Sequence, residues 1–106
     1  MPWCLRKCPY CDFNSHEQAH PDFEKYGQLL IKDLDSDLER YGNQPFVSVF
    51  FGGGTPSLMP PQTLAPLLNR LASLRLISDE TEITLEANPG TLDLDHLTGY
   101  RDLGIN

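Results

Sequence analysis

Cysteine is scarce in this chain and badly placed for disulfides: there are three, all between positions 4 and 11. An odd number packed so tightly is a poor bridging framework and a good metal-ligand set, and it points to a reducing compartment, most simply the cytoplasm. No apolar run approaches the roughly twenty residues that span a bilayer. Met1-Pro2-Trp3-Cys4 lacks the charged-then-apolar order of a secretory signal. Positive charge is also thin, with 8 Lys and Arg against 15 Asp and Glu for a net charge of −7. Such a chain repels phosphate backbones, which makes nucleic acid a poor partner. Arg6-Lys7 is the only adjacent basic pair. Internal repeats and low-complexity tracts are absent.

What remains is ordinary globular material: 106 residues, 40% apolar, 9% aromatic and 22% charged, enough for one small domain at most. Residues 1–21 have no sustained period. From Asp22 onward Tyr26, Leu29, Leu30, Leu34, Leu38 and Tyr41 recur at intervals of three and four, which predicts a helix over about 23–41, capped by Asp22 and ended by Gly42-Asn43. Phe46-Val47-Ser48-Val49-Phe50-Phe51 reads as a strand buried on both faces. Leu64, Leu67, Leu68, Leu71 and Leu74 predict a second helix over about 61–74, in which Pro66 is awkward beyond the first turn. Glu82-Ile83-Thr84-Leu85-Glu86 alternates as a strand, and a third helix follows over about 93–103 with Gly104 past its end. Ile105-Asn106 has the look of another strand beginning.

Strands alternating with helices imply an α/β fold with parallel strands and crossover helices. Two strands cannot bury both faces of a parallel sheet, and closed barrels of this kind run to roughly 250 residues. The expectation is therefore a piece of a larger α/β domain, with a self-sufficient three-helix, two-strand domain as the alternative.

Three groups of residues carry chemistry. Cys4, Cys8 and Cys11 are spaced to wrap one side of a compact metal centre, with Arg6 and Lys7 between them to offset an anionic cluster. Tetrahedral zinc would need a fourth ligand from His16, His20 or Asp12. A [4Fe–4S] cubane held by three thiolates would keep one iron open. Gly52-Gly53-Gly54-Thr55-Pro56-Ser57 follows a strand, and its bare backbone is suited to gripping a small zwitterion. It is neither a P-loop nor a dinucleotide fingerprint. Glu86 ends the next strand, opposite in face to Ile83 and Leu85; if those two pack against helices it points into or across the mouth of a barrel and calls for a cationic partner, and a solvated carboxylate at a strand end is the other reading. The glycine run and Glu86 both fall at strand C-terminal ends, where parallel α/β sheets bind ligands.

These segments resemble a known family. Cys4-x3-Cys8-x2-Cys11, with Tyr10 before the last cysteine, is similar to the radical S-adenosylmethionine (SAM) signature. Pro2-Trp3-Cys4, Cys8-Pro9-Tyr10-Cys11-Asp12-Phe13-Asn14-Ser15, the glycine motif and Glu86-Ala87-Asn88-Pro89 resemble the N-terminal part of the oxygen-independent coproporphyrinogen III oxidase-like family, and within it the haem chaperone (HemW-like) branch. The oxidases resemble this pattern but carry a fourth cysteine where this chain has Phe13, which favours the chaperone branch.

The resemblance implies the first part of a partial (β/α)6 TIM-like barrel: one domain over 1–106, with a cluster-binding loop at 1–21 and βα units at 22–106. It implies that Cys4, Cys8 and Cys11 ligate a [4Fe–4S] cluster whose open iron binds SAM. Tyr10 would lie near the adenine, Gly53, Gly54 and Thr55 would meet the methionyl end, and Glu86 would receive its ammonium. It also implies a reductant such as flavodoxin, and haem or porphyrin held by a C-terminal region outside this sequence. The chain alone is expected to bind a cluster weakly and to show no turnover. Two readings of other kinds stay open: a zinc-binding interaction module using Cys4, Cys8, Cys11 and His16, and an α/β interaction domain with incidental thiols.

Overall fold

The computed structural model describes residues 1–106. In chain order the elements are β1 (Trp3–Cys4), β2 (His16–Glu17), α1 (Phe23–Tyr41), β3 (Ser48–Phe51), α2 (Pro61–Ser73), β4 (Glu82–Leu85) and α3 (Leu94–Asp102), with single 3₁₀ turns at Pro56–Leu58 and Pro89–Thr91. The helices begin and end for local reasons. The Asp22 side chain accepts from the Lys25 amide at 2.9 Å and Asp93 accepts from the His96 amide at 2.8 Å, each satisfying a first-turn donor that has no partner within its helix. After α3 the chain turns at Gly104, φ 88°, and Ile105 N–H donates to Tyr100 O at 3.1 Å, the left-handed close that a glycine makes cheaply. After α2 the same turn is made by Arg75, φ 56°, with Leu76 N–H donating to Leu71 O at 2.9 Å. Pro66 sits inside α2, on its exposed face, so the Gln62 carbonyl left without a donor faces water.

Strands β3 and β4 pair in parallel, Ser48 with Glu82 through Phe51 with Leu85, and α2 is the crossover that joins them. Their helix-facing side is the core. Leu68, Leu71, Leu76 and Ile83 form one buried cluster, with Val49 and Phe51 packed against it. Met59, Leu64 and Tyr100 form a second, reached by Phe51 and Leu85. Fully burying each such aliphatic side chain contributes about 1.5–3 kcal/mol. The other side of the sheet is open, with Ser48, Glu82 and Glu86 exposed and Phe50 62% exposed. This corrects the expectation of a strand buried on both faces. Helices cover β3 from one side only, so its hydrophobic run is split by alternation into a core face and a free face. The strand is also shorter than read: Phe46 N–H leaves the ladder and donates to Leu76 O at 2.7 Å.

Two further segments extend the sheet. The Met1 nitrogen donates to Gly52 O and Gly54 N–H to Met1 O, the hydrogen-bond pattern of a parallel neighbour. On the far side Asn106 N–H donates to Ile83 O at 3.0 Å, and its side chain accepts from Ile83 N–H and donates to Thr81 O. The expected strand opening at Ile105-Asn106 thus lies along β4, and the spatial order is β2, β1, β3, β4 and then Ile105-Asn106, with β2 out of chain order on the far side of β1. The sheet is open at both sides and shows no barrel closure. Residues 1–21 are not wholly irregular, since β1 and β2 form a two-residue parallel pair, Trp3 with His16 and Cys4 with Glu17. No helix is long and apolar enough to cross a membrane.

Tyr100 ties α3 to the rest: its hydroxyl donates to Met59 O at 2.7 Å, with Ser57 O a second, weaker acceptor of the same proton at 3.2 Å. Burial, followed by the charge of Asp93, pushes the phenol up to about 12. The raised value means stability that is intact below the unfolded pKa of about 10 and lost as pH rises from there towards 12. Tyr100→Phe is expected to lower unfolding free energy by about 1–2 kcal/mol at neutral pH, measured in urea, and to flatten the loss between pH 10 and 12.

Candidate functional site

Parallel strands send their loops out from the same edge, and three chemically loaded segments meet there. The glycine loop leaves β3 at Gly52, Glu86 follows β4, and the cysteine loop leaves β1 beside them. The ladder runs one step beyond β4, with Glu86 N–H donating to Phe51 O at 2.9 Å, so Glu86 is fixed next to the first glycine. Its Oε2 accepts from Gly53 N–H at 3.2 Å. Gly53, Gly54 and Glu86 line one cavity of about 660 Å³, together with Phe13, Asn14, Tyr26 and Phe50.

The glycines are required where the N-terminal segment crosses them. A Cβ on Gly54 would strike the Trp3 carbonyl oxygen and lie 2.8 Å from its carbon, and Gly53, φ 108°, would meet Met1 O at 2.5 Å. That crossing also consumes the loop's donors. Gly53 N–H goes to Glu86, Gly54 N–H to Met1 O at 2.6 Å and Thr55 N–H to Trp3 O at 2.8 Å. Of the N–H and C=O groups with which the bare backbone was expected to grip a zwitterion, the N–H groups are thus engaged within the chain, while the carbonyls of Gly53 and Gly54 and the second oxygen of Glu86 accept no hydrogen bond. Such a set holds a hydrogen-bond donor, an ammonium above all. Thr55 does not line the cavity.

The cysteine loop is braced from inside by Lys7. Its Nζ donates to Phe13 O at 2.5 Å and to Ser15 Oγ at 2.9 Å, and its amide donates to Glu17 at 3.1 Å. Lys7 therefore ties both ends of the loop rather than standing free as a counter-charge. Cys4 is buried in β1, Cys8 is exposed and Cys11 half-buried, all three as free thiols, with Cys11 N–H donating to Cys8 O at 3.1 Å. No three His, Cys, Asp or Glu side chains converge on a point where one metal ion could sit. The fit to a metal group is thus one of donor chemistry, not of closed geometry. Three thiols on one loop suit an iron–sulfur cluster, in which each binds a different iron. The single-ion convergence that zinc demands is not present at Cys4, Cys8, Cys11 and His16. Tyr10 stands 87% exposed, outside the cavity, its phenol raised by hydrogen bonding to Cys8.

Phe13, Asn14, Phe50 and Tyr26 are cavity residues that sequence reasoning did not single out for contact. The first two lie in the motif after Cys11, which was a usable signal. Tyr26 carries only a helical period, and its ring packs edge-on to Trp3 at 5.0 Å between centroids.

The family profile of the radical SAM superfamily matches residues 1–106. The chain belongs to the radical SAM superfamily, whose domain generally binds a [4Fe–4S] cluster and SAM. It is 44% identical over 110 residues to the heme chaperone HemW of Haemophilus influenzae, an alignment taking in 99% of this chain and 29% of that protein. It is 42% identical to HemW of Escherichia coli K12, over 100% of this chain and 28% of the relative. The mitochondrial radical S-adenosyl methionine domain-containing protein 1 of Danio rerio is 35% identical over 105 residues. Coproporphyrinogen III oxidase (HemN) from Escherichia coli superposes with a TM-score of 0.78 over the whole chain and 25% of that enzyme, at 21% identity, a likeness of fold. The chain spans less than a third of the length of these relatives.

Gly54→Ala is expected to push β1 off the glycine loop and to destabilise the chain by about 1–3 kcal/mol. The local readout is Cys4, which is buried: a thiol reagent should label it slowly in the natural sequence and at a rate near that of exposed Cys8 in the variant.

Proposed function

We propose that this chain forms the cluster- and SAM-binding part of a radical SAM protein of the haem chaperone type. Cys4, Cys8 and Cys11 would hold the [4Fe–4S] cluster. A reduced cluster supplies one electron to the sulfonium of SAM. The observation that carries the reading is a cavity at the strand ends that Gly53, Gly54 and Glu86 line together with Phe13 and Asn14, the residues that follow Cys11 and Asp12. Glu86 and the Gly53 and Gly54 carbonyls would accept hydrogen bonds from the ammonium of the methionyl end. Phe13, Phe50 and Tyr26 supply apolar walls for the bound molecule to pack against. Thr55 contributes through its backbone, by anchoring the loop to Trp3. Tyr10 would have to swing from its exposed position to reach the adenine.

Haem or porphyrin handling and the contact with a reductant such as flavodoxin belong, on this reading, to the length that the relatives have beyond this match. A cytoplasmic site of action accords with the free thiols. The oxidase is the second reading. Phe13 stands where the oxidases resembled by this sequence carry a further cysteine, and it lines the cavity with its ring instead, which favours the chaperone branch.

Anaerobic reconstitution of the chain with iron and sulfide tests the proposal. The expected product is brown and holds up to about four irons per chain. Cys4→Ala, Cys8→Ala and Cys11→Ala should each lose most of that iron, and Glu86→Gln should keep the iron while weakening SAM binding about tenfold or more. SAM cleavage by the chain alone should be negligible. A colourless protein carrying one zinc, or thiol variants that keep their iron, would overturn it.

A further inference from the structure

Ser57 ends the glycine motif and is completely buried, at 0% exposed. Its hydroxyl lies 2.6 Å from Thr91 Oγ1 and accepts from Asn88 N–H at 3.1 Å. Thr91 Oγ1 in turn donates to Asn88 O at 2.9 Å. A hydroxyl has one proton to give, and that of Thr91 is spent on Asn88, so Ser57 must donate to Thr91. The bonds form a closed circuit, from the Asn88 amide through Ser57 and Thr91 back to the Asn88 carbonyl. One more hydrogen bond holds its frame, with Asn88 Oδ1 accepting from Gly90 N–H at 2.9 Å, and the Tyr100 hydroxyl, which donates to Met59 O, lies 3.2 Å from Ser57 O.

The circuit joins the two loops that line the cavity. Gly53 of the first loop is already bonded to Glu86 of the second. Ser57, four residues further along, is bonded to Asn88 and Thr91. The ladder bond from Glu86 N–H to Phe51 O fixes where the second loop starts, and the Ser57 joint adds a separate attachment further along both loops that fixes the angle between them. The Glu86–Gly53 bond is exposed and weak by itself, and the Ser57 joint is the less exposed of the pair, with Ser57 itself buried and its bonds to Thr91 and Asn88 part-buried.

We propose that Ser57 is a positioning residue that locks the Glu86 turn to the glycine loop, so that the two present one preassembled surface to a ligand ammonium. The use of that surface for SAM rests on the functional reading above; the locking is a property of the chain itself.

The experiment compares the natural chain with Ser57→Ala, Thr91→Val and Thr91→Ser, by residue-resolved amide hydrogen exchange and by SAM titration of the reconstituted chain. Ser57→Ala and Thr91→Val should each speed exchange at Gly53 by about fivefold or more, with the core amides of Leu68 and Leu71 unchanged. Thr91→Ser keeps the hydroxyl and should exchange as the natural chain does. SAM affinity should fall in the first two variants with iron content unaltered. Gly53 exchange that is the same in all four chains overturns the proposal. So does acceleration spread evenly over Gly53, Leu68 and Leu71, which would make Ser57 a stabilising residue only. If the natural chain takes up no SAM while the Gly53 pattern holds, the locking stands and the SAM reading falls.

Discussion

Four residue pairs between β3 and β4 decide where everything else goes. Parallel pairing sends both strand ends to the same edge, and the register puts the residue after Phe51 beside the residue after Leu85. Those residues are Gly52 and Glu86, brought side by side from 34 positions apart in sequence. Four-residue strands do not hold such a register unaided. The leucines of α2 do, because Leu64, Leu68 and Leu71 can be buried only if the crossover helix lies on the sheet with Ile83 and Val49 beneath it. A slip by one residue would turn Ile83 outward and Thr84 inward, so burial and register enforce each other.

The same alternation explains why the site lies on the face that the helices leave open. Ile83 and Leu85 take the helix side, which sends Thr84 and Glu86 to the other. On β3, Val49 and Phe51 go inward and Phe50 goes out, where its ring becomes a cavity wall. An exposed phenylalanine beside a carboxylate is poor stabilising design and good ligand-binding design: the ring excludes water and the carboxylate supplies orientation. Only 15 of the 106 residues are buried, so this chain has little core to spare, and the weight falls on the two small clusters under the helices.

The helices were legible because their signals are local. Asp22 caps α1, Gly104 turns the chain after α3, and the leucine spacing of α2 marks its buried face. Strand edges were less so, since a run such as Phe46-Val47-Ser48 carries no sign that Phe46 N–H will leave the ladder for Leu76. The β1–β2 pair is two residues long and offers no alternation to read. Of the site, the residue types were legible and the bonding was not. The cysteine spacing, the glycine run and Glu86 stood out as chemistry. That Met1 and Trp3 would take up the amides of Gly54 and Thr55 depends on partners some fifty positions away, and only the folded chain brings those together.

The bonding changes what the glycine loop is suited to hold. A glycine-rich turn after a strand commonly serves as an anion site, because its amides point outward at a phosphate. Here the amides of Gly53, Gly54 and Thr55 are each already engaged within the chain. The cavity is lined by Glu86, by Gly53 and Gly54, whose carbonyls accept no hydrogen bond, and by Met1, whose ammonium donates to Gly52 O and lies within the field of Glu86. The N-terminal segment therefore does more than fill space beside β3: by occupying the donors it inverts the polarity of the loop. On the proposed reading a ligand brings a hydrogen-bond-donating cation to Glu86, with Phe13, Phe50 and Tyr26 around it.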